Sequence, residues 1–378
     1  MRAVGIIAEF NPFHNGHRIH IEESKAVSGR KSAVAVMSGS FVQRGEPAIA
    51  SKWARAKAAL LCGADMVVEL PVHYCLMGAD YFARGAVGIL EALGIVDALS
   101  FGCECGELGA IKAAAEILAN EPAEYRGALR SGLSRGLSFA AARGLALAEC
   151  MPEAPEGIFA LPNNGLGIEY VKALRLIGSG MEVYATHRKE GGPSATRARR
   201  ALLGGRMPTE VPMETLCLLE GRPARLDDYS SVFRYLLFCG ERELSFGEGL
   251  ENRFRQMAER HETLSGLLAA VKTKRYTRTR LQRLALRAVL GLGDSVCGPP
   301  YIRLLGFRKK SERLVGELTE RAALPVITSG KDIDRLLSEK SAASDMLRKE
   351  LEAGDIYRTL SMEPGRHRHE RREPLVIV

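Results

Sequence analysis

Short apolar runs alternate with helix-length amphipathic stretches through the first half of the chain. Runs at residues 4–8, 32–37, 66–70, 98–101 and 182–185 are rich in Val, Ile, Ala and Met, and their length predicts strands. Between them, good helix formers at helical spacing predict helices over 51–61 and 81–93, and an Ala-rich helical stretch over 107–147. A Leu-Pro-Asn-Asn-Gly loop at 161–165 should open a further helix over 166–177. Strands alternating with helices of this length predict an α/β fold with a parallel sheet, whose ligands bind at the carboxyl ends of the strands. The polar turn around His14 and His17, the loop 38–46 and Gly102 all fall at such ends.

Beyond Arg206 the pattern changes. A Gly- and Pro-punctuated stretch to Pro223 reads as a boundary. Amphipathic helices are then predicted over 229–238, 250–258, 264–271, 280–290 and 310–318. Residues 324–328 and 375–378 read as strands that pair with each other, and the basic tail 366–372 as mobile. The division is therefore 1–205 and 206–378, with no internal repeat.

Composition narrows the class. The chain has 378 residues, 46% hydrophobic, with no apolar run near the ~20 residues of a membrane helix and no signal segment at its start. A cytoplasmic protein is expected, with no membrane partner and no evident obligate protein partner. Eight scattered cysteines, with only Cys103 and Cys105 close together, predict reduced, mostly buried thiols and no structural metal. The net charge of +8 favours an anionic partner, though only as non-specific attraction.

Three stretches carry candidate chemistry. In the first, Pro12 ends the opening strand, and His14 and His17 lie three apart so that both can face one side of the next helical turn. Gly16 lets the backbone approach a ligand there. Free N–H groups at that helix start, joined by two imidazole donors, suit the phosphates of a nucleotide. The plainer account, a Pro turn followed by surface histidines, does not explain the direct succession of strand, Asn-Pro turn, His-x-Gly-His and helix. In the second stretch, residues 186–199, the hydroxyl of Ser194 should cap a helix whose Arg199 reaches the same anion. A polar loop with solvated arginines is the rival account. The third is the run 272–283, which holds six cations and no acid around Tyr276. Arg280, Arg283 and Arg287 should share one helix face there, beside Leu281, Leu284 and Ala288. A run of one sign repels itself, which favours a bound polyanion over a solvated face.

The first stretch resembles the His-x-Gly-His signature of the nucleotidyltransferase superfamily. The 194–199 segment is similar to that superfamily's second phosphate-binding signature, with Pro193 before the serine and Ala198 where Ile is usual. Read together, the segments 5–17, 37–48 (Met-Ser-Gly-Ser-Phe-Val-Gln-Arg-Gly-Glu-Pro-Ala), 52–56, 68–71, 101–104, 166–174, 273–277 and 301–307 resemble the bacterial tRNA(Met) cytidine acetate ligase family, up to about residue 330. Cys103 and Ser51 depart from the expected Ser and Asn or Asp.

The resemblance implies a Rossmann-like nucleotidyltransferase domain over 1–205 and a mainly helical, basic, tRNA-binding domain over 206–378. It implies ATP as co-substrate, with Mg2+ carried on its phosphates, acetate as the acid, and elongator tRNA(Met) as the acceptor. The family's ATP-binding segment falls on Ile7, Ala8, Glu9, Phe10, Asn11, Pro12, Phe13, His14, Asn15, Gly16, His17, Arg18, Ile19 and His20, with further contacts on Gly102, Asn163 or Asn164, and Arg188. On this basis His14 and His17 are assigned to the α-phosphate, and Arg188, Ser194, Thr196 and Arg199 to the β- and γ-phosphates. Gly102 should let the nucleoside lie against backbone, and Gln43 and Arg44 should orient acetate or the cytidine. Lys272, Lys274, Arg275, Arg280 and Arg283 are expected to hold the tRNA backbone. Two alternatives stay open: an adenylyltransferase acting on a small phosphorylated metabolite, and a nucleotide-dependent RNA-binding protein without catalysis.

Overall fold

In the computed structural model, the described residues are 2–378 apart from 105, 189–190, 220, 240–243, 245, 248, 294–297 and 363–368. Cys105, Cys297, positions 189–190 of the second loop and 366–368 of the tail therefore lie outside them. The strands are β1 (Ala3–Ala8), β2 (Ser32–Ser38), β3 (Phe41–Val42), β4 (Glu46–Pro47), β5 (Met66–Leu70), β6 (Val96–Cys103), β7 (Glu182–His187), β8 (Ile302–Phe307), β9 (Val326–Ile327) and β10 (Val376–Ile377). Eight of them form one sheet in the order β10-β8-β5-β2-β1-β6-β7, with β9 also on β8.

The strands β5, β2, β1, β6 and β7 are mutually parallel. Near-continuous apolar runs such as Ala33–Met37 are what a sheet covered on both faces requires, and these residues are buried. From β1 the chain adds β2 and β5 on one side and then β6 and β7 on the other. The crevice between the carboxyl ends of β1 and β6 is thus the topological switch point, the standard ligand position in such sheets.

The C-terminal half returns to this sheet. β8 pairs antiparallel with β5. Residues 324–328 and 375–378 do not pair with each other as expected: β9 and β10 each run parallel to β8, at opposite ends of it. The helical segments after residue 223 build their own apolar cluster around Tyr229, Phe233, Phe254, Leu268 and Leu281, and Phe41 of the catalytic half is part of it. Its ring sits edge-on to Tyr229 and Tyr357 at centroid distances of 5.7 and 6.0 Å.

Other expectations are corrected by local chemistry. The Ala-rich stretch is three helices, Leu108–Asn120, Ala123–Ser134 and Phe139–Cys150, broken at Glu121 (φ 43°) before Pro122 and at Gly136 (φ 79°). The loop at 161–165 is instead the first turn of the helix Pro162–Leu176, because Pro162 occupies the first helical position, where its missing N–H costs nothing. Cys62, Cys75 and Cys103 are buried thiols, but Cys217 and Cys239 are exposed. The described end of the tail, 369–372, is held by Glu370, a buried residue. Its carboxylate joins Lys52 and sits 2.9 Å from Arg303 Nη1, in a buried network completed by Glu69 and Glu350.

Candidate active site

β1 ends at Ala8, and the chain then turns through Phe10 (φ 46°) and a cis Asn11–Pro12 peptide. Asn11 is buried, and its Oδ1 accepts the Ile49 N–H at 2.7 Å, which fixes the turn against the loop after β4. Buried Arg55 gathers the strand ends: its guanidinium donates to the carbonyls of Glu9 (2.7 Å), Ser38 (3.1 Å), Ala50 (3.1 Å) and Gly39. Arg55 was not singled out from sequence. Its only signal was its place in the Lys-Trp-Ala-Arg-Ala segment.

His14 stands just before the helix Asn15–Ser28 in extended conformation, and His17 lies in its first turn. Their rings stack with centroids 3.7 Å apart. The His14 backbone N–H donates to His17 Nδ1 at 3.2 Å, so the proton of the neutral His17 ring sits on Nε2, the outward donor. Phe10 and Phe13 wall the His17 ring at 5.0 and 5.4 Å. Gly16 is required by this arrangement rather than by close ligand approach, since a Cβ there would lie 2.9 Å from the His14 ring.

The electrostatics favour an incoming anion. Burial, reinforced by the Arg188 guanidinium, lowers His14 and His20 to about 4. Burial and the neighbouring His14 and His20 push His17 well below its ordinary value. All three rings are therefore neutral donors near pH 7, under the positive field of Arg188. The Arg188 N–H donates to the Cys103 carbonyl at 2.9 Å, which places it where β6 and β7 end together. His20 is held by Thr186 Oγ1 at 2.7 Å. A Cβ on Gly102 would meet no atom within 4 Å, so the end of β6 opens onto space.

Several expected contacts are spent elsewhere. Arg18 and Ile19 of the first segment are exposed; Arg18 faces Glu22 and Glu214 at 3.6 and 3.7 Å, and the Ile19 side chain is 48% exposed. Asn164 is fully buried: its Oδ1 accepts from Glu104 N–H (3.0 Å) and Cys103 Sγ (3.2 Å), and its Nδ2 donates to the Ile158 carbonyl (3.0 Å). Asn163 is half-buried, with its Nδ2 on Glu104 at 2.6 Å. Ser194 precedes the helix Ala195–Leu203, but its hydroxyl makes no cap. The Ser194 N–H goes instead to Glu210 Oε2 at 3.2 Å. Thr196 is exposed in the first turn of that helix. Arg199 is buried; its Nη1 donates to the Asn11 carbonyl at 2.7 Å and its Nε lies 3.6 Å from Glu46, so it braces the His loop rather than reaching phosphate. Of the carboxylates at the two helix starts, Glu104 had only its place in the 101–104 segment as a signal, and Glu210 none.

On the loop between β3 and β4, Arg44 is half-exposed, its Nε 3.9 Å from Glu9. Burial raises the Glu9 carboxyl above its usual range, against the opposing pull of Arg44. Gly45 (φ 77°) is pressed by the helix Arg278–Leu290, where a Cβ would come within 2.7 Å of the Arg283 backbone. Arg283 Nη1 donates to the Gln43 carbonyl at 3.0 Å, so Arg283 positions the loop between β3 and β4 and is not an open RNA contact. Arg287 is likewise buried, on the Gly293 carbonyl at 2.6 Å, and leaves the expected basic face. Lys272, Lys274, Arg275 and Arg278 are exposed, while Arg275 and Arg280 lie over the Tyr276 ring at 5.9 and 5.2 Å.

Known proteins share this architecture. The HIGH Nucleotidyl Transferase family model matches residues 1–373. A tRNA(Met) cytidine acetate ligase of Caldanaerobacter subterraneus subsp. tengcongensis is 38% identical, over 94% of this chain and 95% of the relative. One of Acetivibrio thermocellus is 36% identical over 94% of each. A crystal structure of Thermotoga maritima TmcAL bound with alpha-thio ATP superposes with a TM-score of 0.92 at 30% identity, covering 100% of this chain and 99% of that one. The paired imidazoles at the switch point, the sheet that carries them and these whole-length likenesses agree: the chain belongs to the tRNA(Met) cytidine acetate ligase family of HIGH nucleotidyl transferases.

Proposed function

We propose that the protein activates acetate with ATP and transfers the acetyl group to the wobble cytidine of elongator tRNA(Met), giving N4-acetylcytidine. The observation that carries this is the neutral, stacked His14/His17 pair at the switch point under the field of Arg188. In the first step an acetate oxygen bonds to the α-phosphorus as the bond to pyrophosphate breaks. Charge grows on phosphoryl oxygens, and preorganised donors in a water-poor site stabilise it best. We assign His14 and His17 Nε2–H to that charge, and Arg188 with the Ser194–Thr196 turn to the departing pyrophosphate, with Mg2+ carried on the phosphates. Gly102 and Asn163 flank the nucleoside, and Arg44 orients the acid. In the second step the cytidine N4 bonds to the acetyl carbon, AMP leaves, and N4 loses a proton.

The tRNA surface we assign is Lys272, Lys274, Arg275, Arg278 and Arg280. It begins the same helix whose Arg283 holds the Gln43 carbonyl, so bound RNA lies next to the Arg44 loop. No helix among the described residues is long and apolar enough to cross a membrane, and we place the protein in the cytoplasm with its tRNA substrate. Incubation with ATP, labelled acetate and tRNA(Met) tests the reading. Label should appear on the wobble cytidine with stoichiometric AMP, whereas transfer of AMP itself to a phosphorylated metabolite would replace the ligase by an adenylyltransferase.

A further inference from the structure

The segment after the helix Ala195–Leu203 crosses back over the phosphate-binding turn. It is punctuated by Gly204, Gly205 (φ 70°), Pro208 and Pro212, and carries Glu210 into the site. The Glu210 carboxylate accepts the Ser194 N–H at 3.2 Å and Arg197 Nε at 2.6 Å. Its backbone carbonyl accepts the Asn15 N–H, the first of the His-loop helix, at 2.9 Å. One residue thus ties down the starts of both helices on which the phosphate site is built. A second observation lies beside the same turn. His14 is 4% exposed and its buried Nδ1 has no partner, and a Cβ on Gly16 would lie 3.0 Å from that nitrogen and 3.5 Å from the Pro193 carbonyl, beside Ser194. An unmatched buried polar atom there is costly unless a ligand group completes it.

We propose that Glu210 is a built-in stand-in for the terminal phosphates of ATP: its carboxylate holds the Ser194 and Arg197 donors until the triphosphate displaces it, and the strap 204–212 is released with it. The proposal rests on the ATP site described above. A carboxylate and a phosphate use the same donors at a helix start, so the two exclude each other there. Self-occupation lowers apparent ATP affinity by the fraction of time that the donors are free. AMP, which lacks the β- and γ-phosphates, leaves the strap in place and escapes that penalty.

The test compares ATP and AMP binding by calorimetry in the unaltered protein and in Glu210→Gln. Neutralising the side chain should tighten ATP about tenfold, for a site held nine-tenths of the time, and leave AMP unchanged. Hydrogen exchange on the unaltered protein supplies a readout that needs no variant: ATP, but not AMP, should speed exchange in the 204–212 segment. Equal effects on both nucleotides, weaker ATP binding in the variant, or slower strap exchange with ATP would make Glu210 a permanent brace and overturn the proposal. Failure of the unaltered protein to bind ATP at all would overturn the underlying site as well.

Discussion

Two buried polar clusters flank the same sheet, and they are built on opposite rules. Around Lys52, charged groups meet one another: Lys52 faces the carboxyl groups of Glu69, Glu350 and Glu370, and Arg303 Nη1 lies 3.1 Å from Glu69 and 2.9 Å from Glu370. Burial would raise the Glu69 carboxyl, but Lys52 and Arg303 override it and hold the group below its usual range. Around His14, by contrast, the rings are kept neutral, one nitrogen is unmatched, and the nearby cation raises the cost of protonation. The first cluster joins the C-terminal strand and tail to the catalytic sheet. The second holds donors in reserve. The Lys52 cluster therefore fastens the C-terminal half to the sheet, whereas the His14 pair stays uncharged at the strand ends.

The sharpest way to break that contrast is to remove a charge from the fastener. Lys52→Met leaves buried carboxylates without their cation and should lower unfolding free energy by about 3–5 kcal/mol. Urea unfolding would measure this, and pyrophosphate exchange by the molecules that stay folded should be near normal. His17→Ala should do the reverse, with the fold intact and adenylation slowed by ~10²–10³. Near-normal exchange in that variant would make His17 a packing residue and erase the distinction.

Acid and base should also separate the clusters. His14 and His20 sit at about 4 in the folded protein, below their ordinary 6.5. The unfolded chain therefore takes up protons first, and stability is lost as pH falls from about 6.5 towards 4, by about 1–2 kcal/mol for each ring at pH 5. Glu350 has the opposite sign. Burial and the adjacent Glu69 raise it to about 8, so the stability tied to its protonated form is present below its ordinary 4.5 and is lost as pH rises through about 8. Urea midpoints against pH should show His20→Asn flattening the acid limb and Glu350→Gln flattening the alkaline one. The smallest effect belongs to the exposed cations. Lys274→Ala with Arg275→Ala should reduce the slope of log K for tRNA against log salt by about one unit per lost phosphate contact, leaving adenylation untouched.

What the sequence made legible follows the same division. The strands of the parallel half and the turn that brings His14 and His17 together were readable because periodicity, Pro12 and the motif spacing are local signals. β8 was missed because Ile-Arg-Leu-Leu-Gly-Phe gives no cue that its partner is β5, more than two hundred residues earlier. For the same reason Glu370 read as part of a free tail, Arg283 as an RNA contact, and Glu210 as linker. Side chains such as Arg199 and Asn164 look alike as ligand donors or braces until their partners are known, and those partners come from tertiary packing.

The central claim is that this site joins a carboxylic acid to AMP before any RNA is needed. Exchange of labelled pyrophosphate into ATP, measured without RNA, tests it most directly. Acetate should support the exchange, and His17→Ala should slow it by ~10²–10³. Exchange that ignores acetate and requires a phosphorylated metabolite, or that stays near normal without His17, would contradict the account.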